Sequence, residues 1–400
     1  MLRVPLLFVS LLALSMVAAA CGGDENTAAS SEADADPAAA TGAPAEVDTA
    51  NEESVEDAAN EQAPDEDVPT ETVTTTAATE PGVYPGESWE VVDPGDAGLS
   101  ADGVDSFVDF AESVDSGCLA VIRGGQLAIE YYGPDWDIST DLEVFSATKS
   151  VSATLVGIAS DLGFLDIEEP ASNYLEEWVG TDSESVTIRN LLANDSGRYW
   201  DFETDYTGLV FDADRSAFAI GLDQQHEPGT YWEYNNSAIQ TLEEVLQRAT
   251  GQEVADFAEA NLFGPLGMDV HYALDSEGNT PTFMGLQAGC ADMARFGWMA
   301  RNNGEWAGEQ VVSSDYMIEA TQPSQELNNG YGFLWWVNEF GGWEDAPTDA
   351  YAALGLGDQV TLVIPSLDMV VVRIGAVSGS ADYDGFFVND LAAIAVAASS

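Results

Sequence analysis

Lysine is nearly missing from this chain. Its 400 residues include 71 acidic residues and ten basic ones, and of those ten only Lys149 is a lysine; the other nine are arginines. The formal net charge is −61, a field that repels nucleic acid and anionic lipid surfaces and so excludes DNA or RNA as partners. Histidine and cysteine are also scarce, with two and three copies. Neither type has metal-ligand spacing, so no zinc site and no cofactor is expected. His226 and His271 lie far from any serine or cysteine motif and are read as structural or surface residues. No Gly-x-Ser-x-Gly stretch is present, which disfavours an α/β-hydrolase elbow. The apolar run from Val4 to Ala20 is too short, and too rich in small residues at its end, for a membrane-spanning helix.

What remains points to the one lysine. It stands in Phe145-Ser146-Ala147-Thr148-Lys149-Ser150, three residues after a serine. Lysine can give up its proton when desolvated, whereas arginine effectively cannot. At a helix start, Ser-x-x-Lys puts hydroxyl and amine on one face, one turn apart. This spacing predicts a Ser146 nucleophile activated by Lys149. The plain alternative is a helix-surface lysine beside an ordinary serine.

Three regions follow from composition. Residues 1–21 have the form of an export signal, with Arg3 before the apolar run and small residues before Cys21. Ala18-Ala19-Ala20-Cys21 resembles a bacterial lipobox, with Ala18 where leucine is usual, so Cys21 is the expected lipidation site. The protein would then be a cell-envelope lipoprotein on the outer face of the membrane, or secreted. Membrane attachment is expected only through that anchor. Residues 22–82 carry no basic and no aromatic residue, and cannot bury enough apolar surface to offset ordering entropy; a disordered acidic tether is expected. Residues 83–400 form the folded unit.

Within that unit, helices are expected over Ala101 to Ser113, from Ser146 to a stop at Gly163, from Val186, over about Ala238 to Thr250, over Gly289 to Asn303, and over Asp384 to Ala398. Cys118 to Arg123 and Gln126 to Tyr132 read as a hairpin about Gly124-Gly125, and Thr361 to Ile364 and Met369 to Ile374 as strands around Pro365-Ser366. Tyr331 to Val337 is predicted as an aromatic strand. Strands at both ends and a helical middle imply an α+β fold: a sheet closed by both chain ends, with a helical insertion.

Several stretches together resemble the serine β-lactamase and penicillin-binding-protein superfamily, and within it the class C branch with family VIII carboxylesterases and nylon-oligomer hydrolases. They are Ser146-Ala147-Thr148-Lys149, Pro228-Gly229, Tyr234-Asn235-Asn236, Pro265-Leu266-Gly267-Met268, Ala291 to Gly297 and Gly330 to Trp336. The resemblance implies a β-lactamase/transpeptidase-like antiparallel sheet flanked by helices, with a helical subdomain. It implies that Ser146 is acylated, that Lys149 holds or relays its proton, and that Tyr234 is the second base and then the acid. Asn236 would position Lys149 and the substrate carbonyl. A phenol beside an ammonium is expected to have a depressed pKa, so that Tyr234 and Lys149 share one proton near neutral pH.

The superfamily's third motif, Lys-Thr-Gly or a histidine variant, matches Ala353-Leu354-Gly355 here, where no cation stands. Gly355 would keep the backbone close, and the Leu356 N–H would join that of Ser146 as an oxyanion hole. Arg373 on the next strand is a candidate replacement cation or a structural arginine. Small esters or amides without a carboxylate are the expected substrates. A D,D-peptidase or β-lactamase, and a non-catalytic binding lipoprotein, are the competing readings. Cys118 and Cys290 are the thiols left in an exported domain, either paired or free and buried. Trp335, Trp336 and Trp343 are candidates for a cleft lining or for core.

Overall fold

The computed structural model describes residues 83–376 and 387–400. The expected signal segment with Cys21, the tether 22–82 and the start of the last helix at Asp384 lie outside the described residues. Ser100 caps the first helix, α1 (Ala101–Ser113), by accepting from the Gly103 N–H; that is one of the donors a helix start leaves free. The hairpin follows with the expected bounds, β1 (Cys118–Arg123) and β2 (Gln126–Tyr132), turned by Gly124 and Gly125 at positive φ. Next come α2 (Thr148–Asp161), α3 (Ile188–Ala193), α4 (Asn236–Thr250) and α5 (Cys290–Arg301). The chain then returns through β3 (Trp336–Val337), β4 (Tyr351–Gly355), β5 (Gln359–Ile364) and β6 (Met369–Ile374), and α6 (Val388–Ala398) follows.

Among the described residues the main sheet has the order β2-β1-β6-β5-β4-β3, with antiparallel neighbours throughout. β1 lies against β6, Cys118 facing Ile374 and Arg123 facing Met369, so early and late strands close the sheet as expected. The strands are apolar at nearly every position because both faces are covered. Leu119 and Val121 point to one core with Phe107 of α1 and Leu391 of α6. Ala120 and Ile122 point to the other with Val151 of α2 and Phe296 of α5. Period-two alternation thus divides each strand between two cores. Glycine lets α5 settle onto the sheet, since a β-carbon on Gly297 would meet Val370 Cγ1 at 2.7 Å.

One expected element is shorter than its pattern. Of the aromatic run Tyr331 to Val337, only Trp336 and Val337 form strand. Leu334 takes φ +57, and the bend carries its carbonyl to Ser150 Oγ at 2.7 Å and its N–H to Leu192 O. Contacts with α2 and α3 override the strand propensity of the aromatics.

Candidate active site

Ser146 lies in a 3-10 turn, Phe145–Ala147, that feeds directly into α2. Phe145 just before it has φ +46, a costly conformation for a bulky residue that persists only where the surroundings impose it. One surrounding group is Gly355 at the end of β4. A β-carbon there would lie 2.1 Å from Val144 O and 3.2 Å from Ala147 N, so the absent side chain lets the strand end close on the serine turn.

Because α2 is buried on all sides up to Ala159, its first turn is carried inside. Lys149 is 1% exposed. It donates to Ser146 Oγ at 2.8 Å and to the Phe283 carbonyl at 2.9 Å. Burial pulls its pKa from the ordinary 10.5 to about 7, with the Asp205 carboxylate opposing the shift. Two further contacts hold Phe283 in place: Thr282 N–H donates to Gln240 Oε1 at 3.0 Å, and Ser152 Oγ donates to Thr282 O at 2.7 Å.

Tyr234 comes from the segment leading into α4. Ser146 acts on its hydroxyl, partly opposing the effect of burial, and Lys149 Nζ stands 4.7 Å from its ring centroid. Trp336 stacks on it with centroids 5.8 Å apart, and Tyr331 meets it edge-on. The expected depression of its pKa is not found. Burial pushes Tyr234 well above the usual phenol value, and the Asp205 charge pushes the same way. Both effects disfavour a phenolate, and desolvation outweighs the opposing influence of Ser146. The two residues therefore do not share one proton evenly. Near neutral pH the tyrosine is a neutral phenol and the lysine is the group poised to accept.

Asn236 donates from Nδ2 to Asp205 Oδ2 at 2.8 Å, and its buried Oδ1 accepts no hydrogen bond. Asp205 is the residue that sequence reasoning missed. Seventy-one acids hide it, and nothing in Thr204-Asp205-Tyr206 marks it out. The Phe283 carbonyl could not be read either, since a backbone group has no signature.

Leu356 follows Gly355 in the turn after β4, and Ala353-Leu354-Gly355 brings no cation to the site. Arg373 does not substitute. It is buried, donating to Gly357 O at 2.8 Å, Asp358 O at 3.1 Å and Ser116 Oγ at 3.0 Å, so it braces the β4–β5 turn. Trp335 is core, stacked on Phe296, whereas Trp336 lies against Tyr234; Trp343 packs partly buried against the outer core. His226 stacks on Tyr231 and His271 is paired with Asp141 at 3.6 Å. Cys118 and Cys290 are joined by a disulfide.

Comparison with known proteins agrees with the fold. The family described as Beta-lactamase matches residues 104–386. The 6-aminohexanoate-dimer hydrolase of Paenarthrobacter ureafaciens is 23% identical over 290 residues, 64% of this chain and 71% of that protein. A family VIII carboxylesterase structure superposes with TM-score 0.58 at 15% identity, covering 78% of this chain and 99% of that one. A penicillin-binding protein homologue from Caulobacter crescentus does so with TM-score 0.59 at 16% identity, covering 76% and 99%.

Proposed function

This chain belongs to the beta-lactamase family and is a serine hydrolase, and from that premise we propose that it cleaves small esters or amides through an acyl-enzyme on Ser146. The observation that carries the proposal is the Lys149 Nζ to Ser146 Oγ contact of 2.8 Å in a desolvated site. Neutral Lys149 takes the proton as Ser146 Oγ attacks the substrate carbonyl carbon. The N–H groups of Ser146 and Leu356 receive the oxyanion. As the tetrahedral intermediate collapses, the bond to the alcohol or amine breaks. Tyr234, protonated at rest, gives its proton to that leaving group and regains one from Lys149. Water then attacks the acyl carbon as its proton passes to the same pair; the acyl–Oγ bond breaks, the pair returns that proton to Ser146 Oγ, and the acid leaves. Asn236 Oδ1, which has no partner, is the acceptor we assign to substrate or to the ammonium.

A substrate without a carboxylate is favoured because the third motif has no cation and Arg373 is committed to backbone carbonyls. That weighs against the D,D-peptidase or β-lactamase alternative. We also propose export, with lipidation at Cys21. The Cys118–Cys290 disulfide supports an oxidising compartment.

Mass spectrometry after brief exposure to a fluorophosphonate, with turnover of p-nitrophenyl esters of several chain lengths, tests the mechanism. A single adduct on Ser146 is expected. Lys149→Arg should abolish it while the fold, read by circular dichroism, is kept. A folded wild-type protein that takes no adduct would return the chain to the binding-lipoprotein reading.

A further inference from the structure

Asp205 is a buried carboxyl beside the site that the mechanism above leaves unused. It lies in a π-helical turn, Thr204–Gly208, a distortion common at functional sites. It is fully buried. Its Oδ2 accepts from Asn236 N at 3.1 Å and Asn236 Nδ2 at 2.8 Å; its Oδ1 accepts from Ser237 N at 2.7 Å and Ser237 Oγ at 2.8 Å. Asn236 and Ser237 are the first two residues of α4, whose free N–H groups and dipole favour an anion. The same helix already has a cap, since Asn235 Oδ1 accepts from Ala238 N at 2.8 Å. A second acidic cap taken wholly out of water loses more in desolvation, which raises the Asp205 carboxyl above its ordinary value, than a cap returns. Capping alone does not account for it.

The other groups facing this carboxylate suggest what does. Tyr206 comes from its own turn, Glu233 and Tyr234 from the segment before α4, and Lys149 from α2; the Asp205 charge raises the pKa of each. Among them Lys149 is the cation, and the charge of Asp205 opposes the fall in its pKa that burial causes. When Ser146 passes its proton to Lys149, an ammonium forms in a buried site, bonded to neutral oxygens. A fixed negative charge nearby stabilises that state without touching the substrate.

We propose that Asp205 is a positioning residue for acylation: it locks the Tyr234-Asn235-Asn236 turn through α4 and supplies the counter-charge to Lys149. This rests on the Ser146–Lys149 mechanism proposed above. The test is the pH dependence of fluorophosphonate labelling and p-nitrophenyl acetate hydrolysis in wild type and Asp205→Asn. Wild type labelling at Ser146, lost in Lys149→Arg, secures the mechanism independently; without that result both readings fall.

With it, Asp205→Asn is expected to slow labelling by about ten- to a hundredfold. It should also move the acid limb of the profile about one unit toward lower pH, because a lysine without its counter-charge loses its proton more easily. Slower labelling with the limb unmoved reduces Asp205 to a structural cap, and an unchanged profile removes it from the site. Either outcome overturns the proposal. Should Asp205→Asn fail to fold, Ser237→Ala removes one donor and leaves the charge. Labelling slowed severalfold with the limb in place is then expected, and wild-type labelling overturns the positioning role.

Discussion

Lys149 shows how burial converts a surface residue type into a base. Its value of about 7, against 10.5 in water, means that the unfolded chain holds a proton there that the native protein lacks between those two pH values. Its contribution to stability therefore improves as pH rises through that window, and its cost is complete below pH ~7. Lys149→Met is expected to raise the melting temperature at and below neutral pH while abolishing Ser146 labelling. A lower melting temperature would show that the ammonium's contacts outweigh its desolvation. The same value sets the rate profile: kcat/KM for a p-nitrophenyl ester should rise through an acid limb near pH ~7, as the free enzyme's base deprotonates. Tyr234, pushed upward, contributes no limb below neutrality.

The junction of β4 with the Phe145–Ala147 turn is the element on which acylation geometry depends. The closeness of Gly355 to Val144 and Ala147 leaves no room for a methyl group, and two backbone segments cannot yield as a flexible side chain would. Gly355→Ala is expected to displace the serine turn and lower the labelling rate by about a hundredfold, with the far-ultraviolet spectrum unchanged. Labelling at the wild-type rate would mean that the turn moves without cost. Arg373 stiffens the same region from β6 by holding Gly357 and Asp358, so the missing third-motif cation is not replaced from that side.

At the scale of the molecule, the large excess of acidic over basic residues within 83–400 opposes compaction by self-repulsion, and the two cores must outweigh it. The Cys118–Cys290 bridge closes a separation of 172 residues, joining β1 to the first residue of α5. Breaking so long a loop should cost about 2–5 kcal/mol. Cys118→Ala with Cys290→Ala is expected to lower the urea midpoint while leaving Ser146 labelling of the folded protein intact. An unchanged midpoint would show that the cores alone hold the sheet closed.

Much of this could be read directly from residue order. The hairpin, the helix after Ser146 and the strands about Pro365 depend on propensity, turn residues and period, all local quantities, and Ser146 faces Lys149 because three residues make nearly one helical turn. The α+β plan followed from where strands and helices fall along the chain. Asp205, the Phe283 carbonyl, the pairing of two cysteines 172 residues apart and the upward shift of Tyr234 could not be read in that way. They depend on which distant groups become neighbours and on how much water is excluded between them. Only packing settles those quantities, because desolvation and Coulomb energy act across space and are blind to separation along the chain.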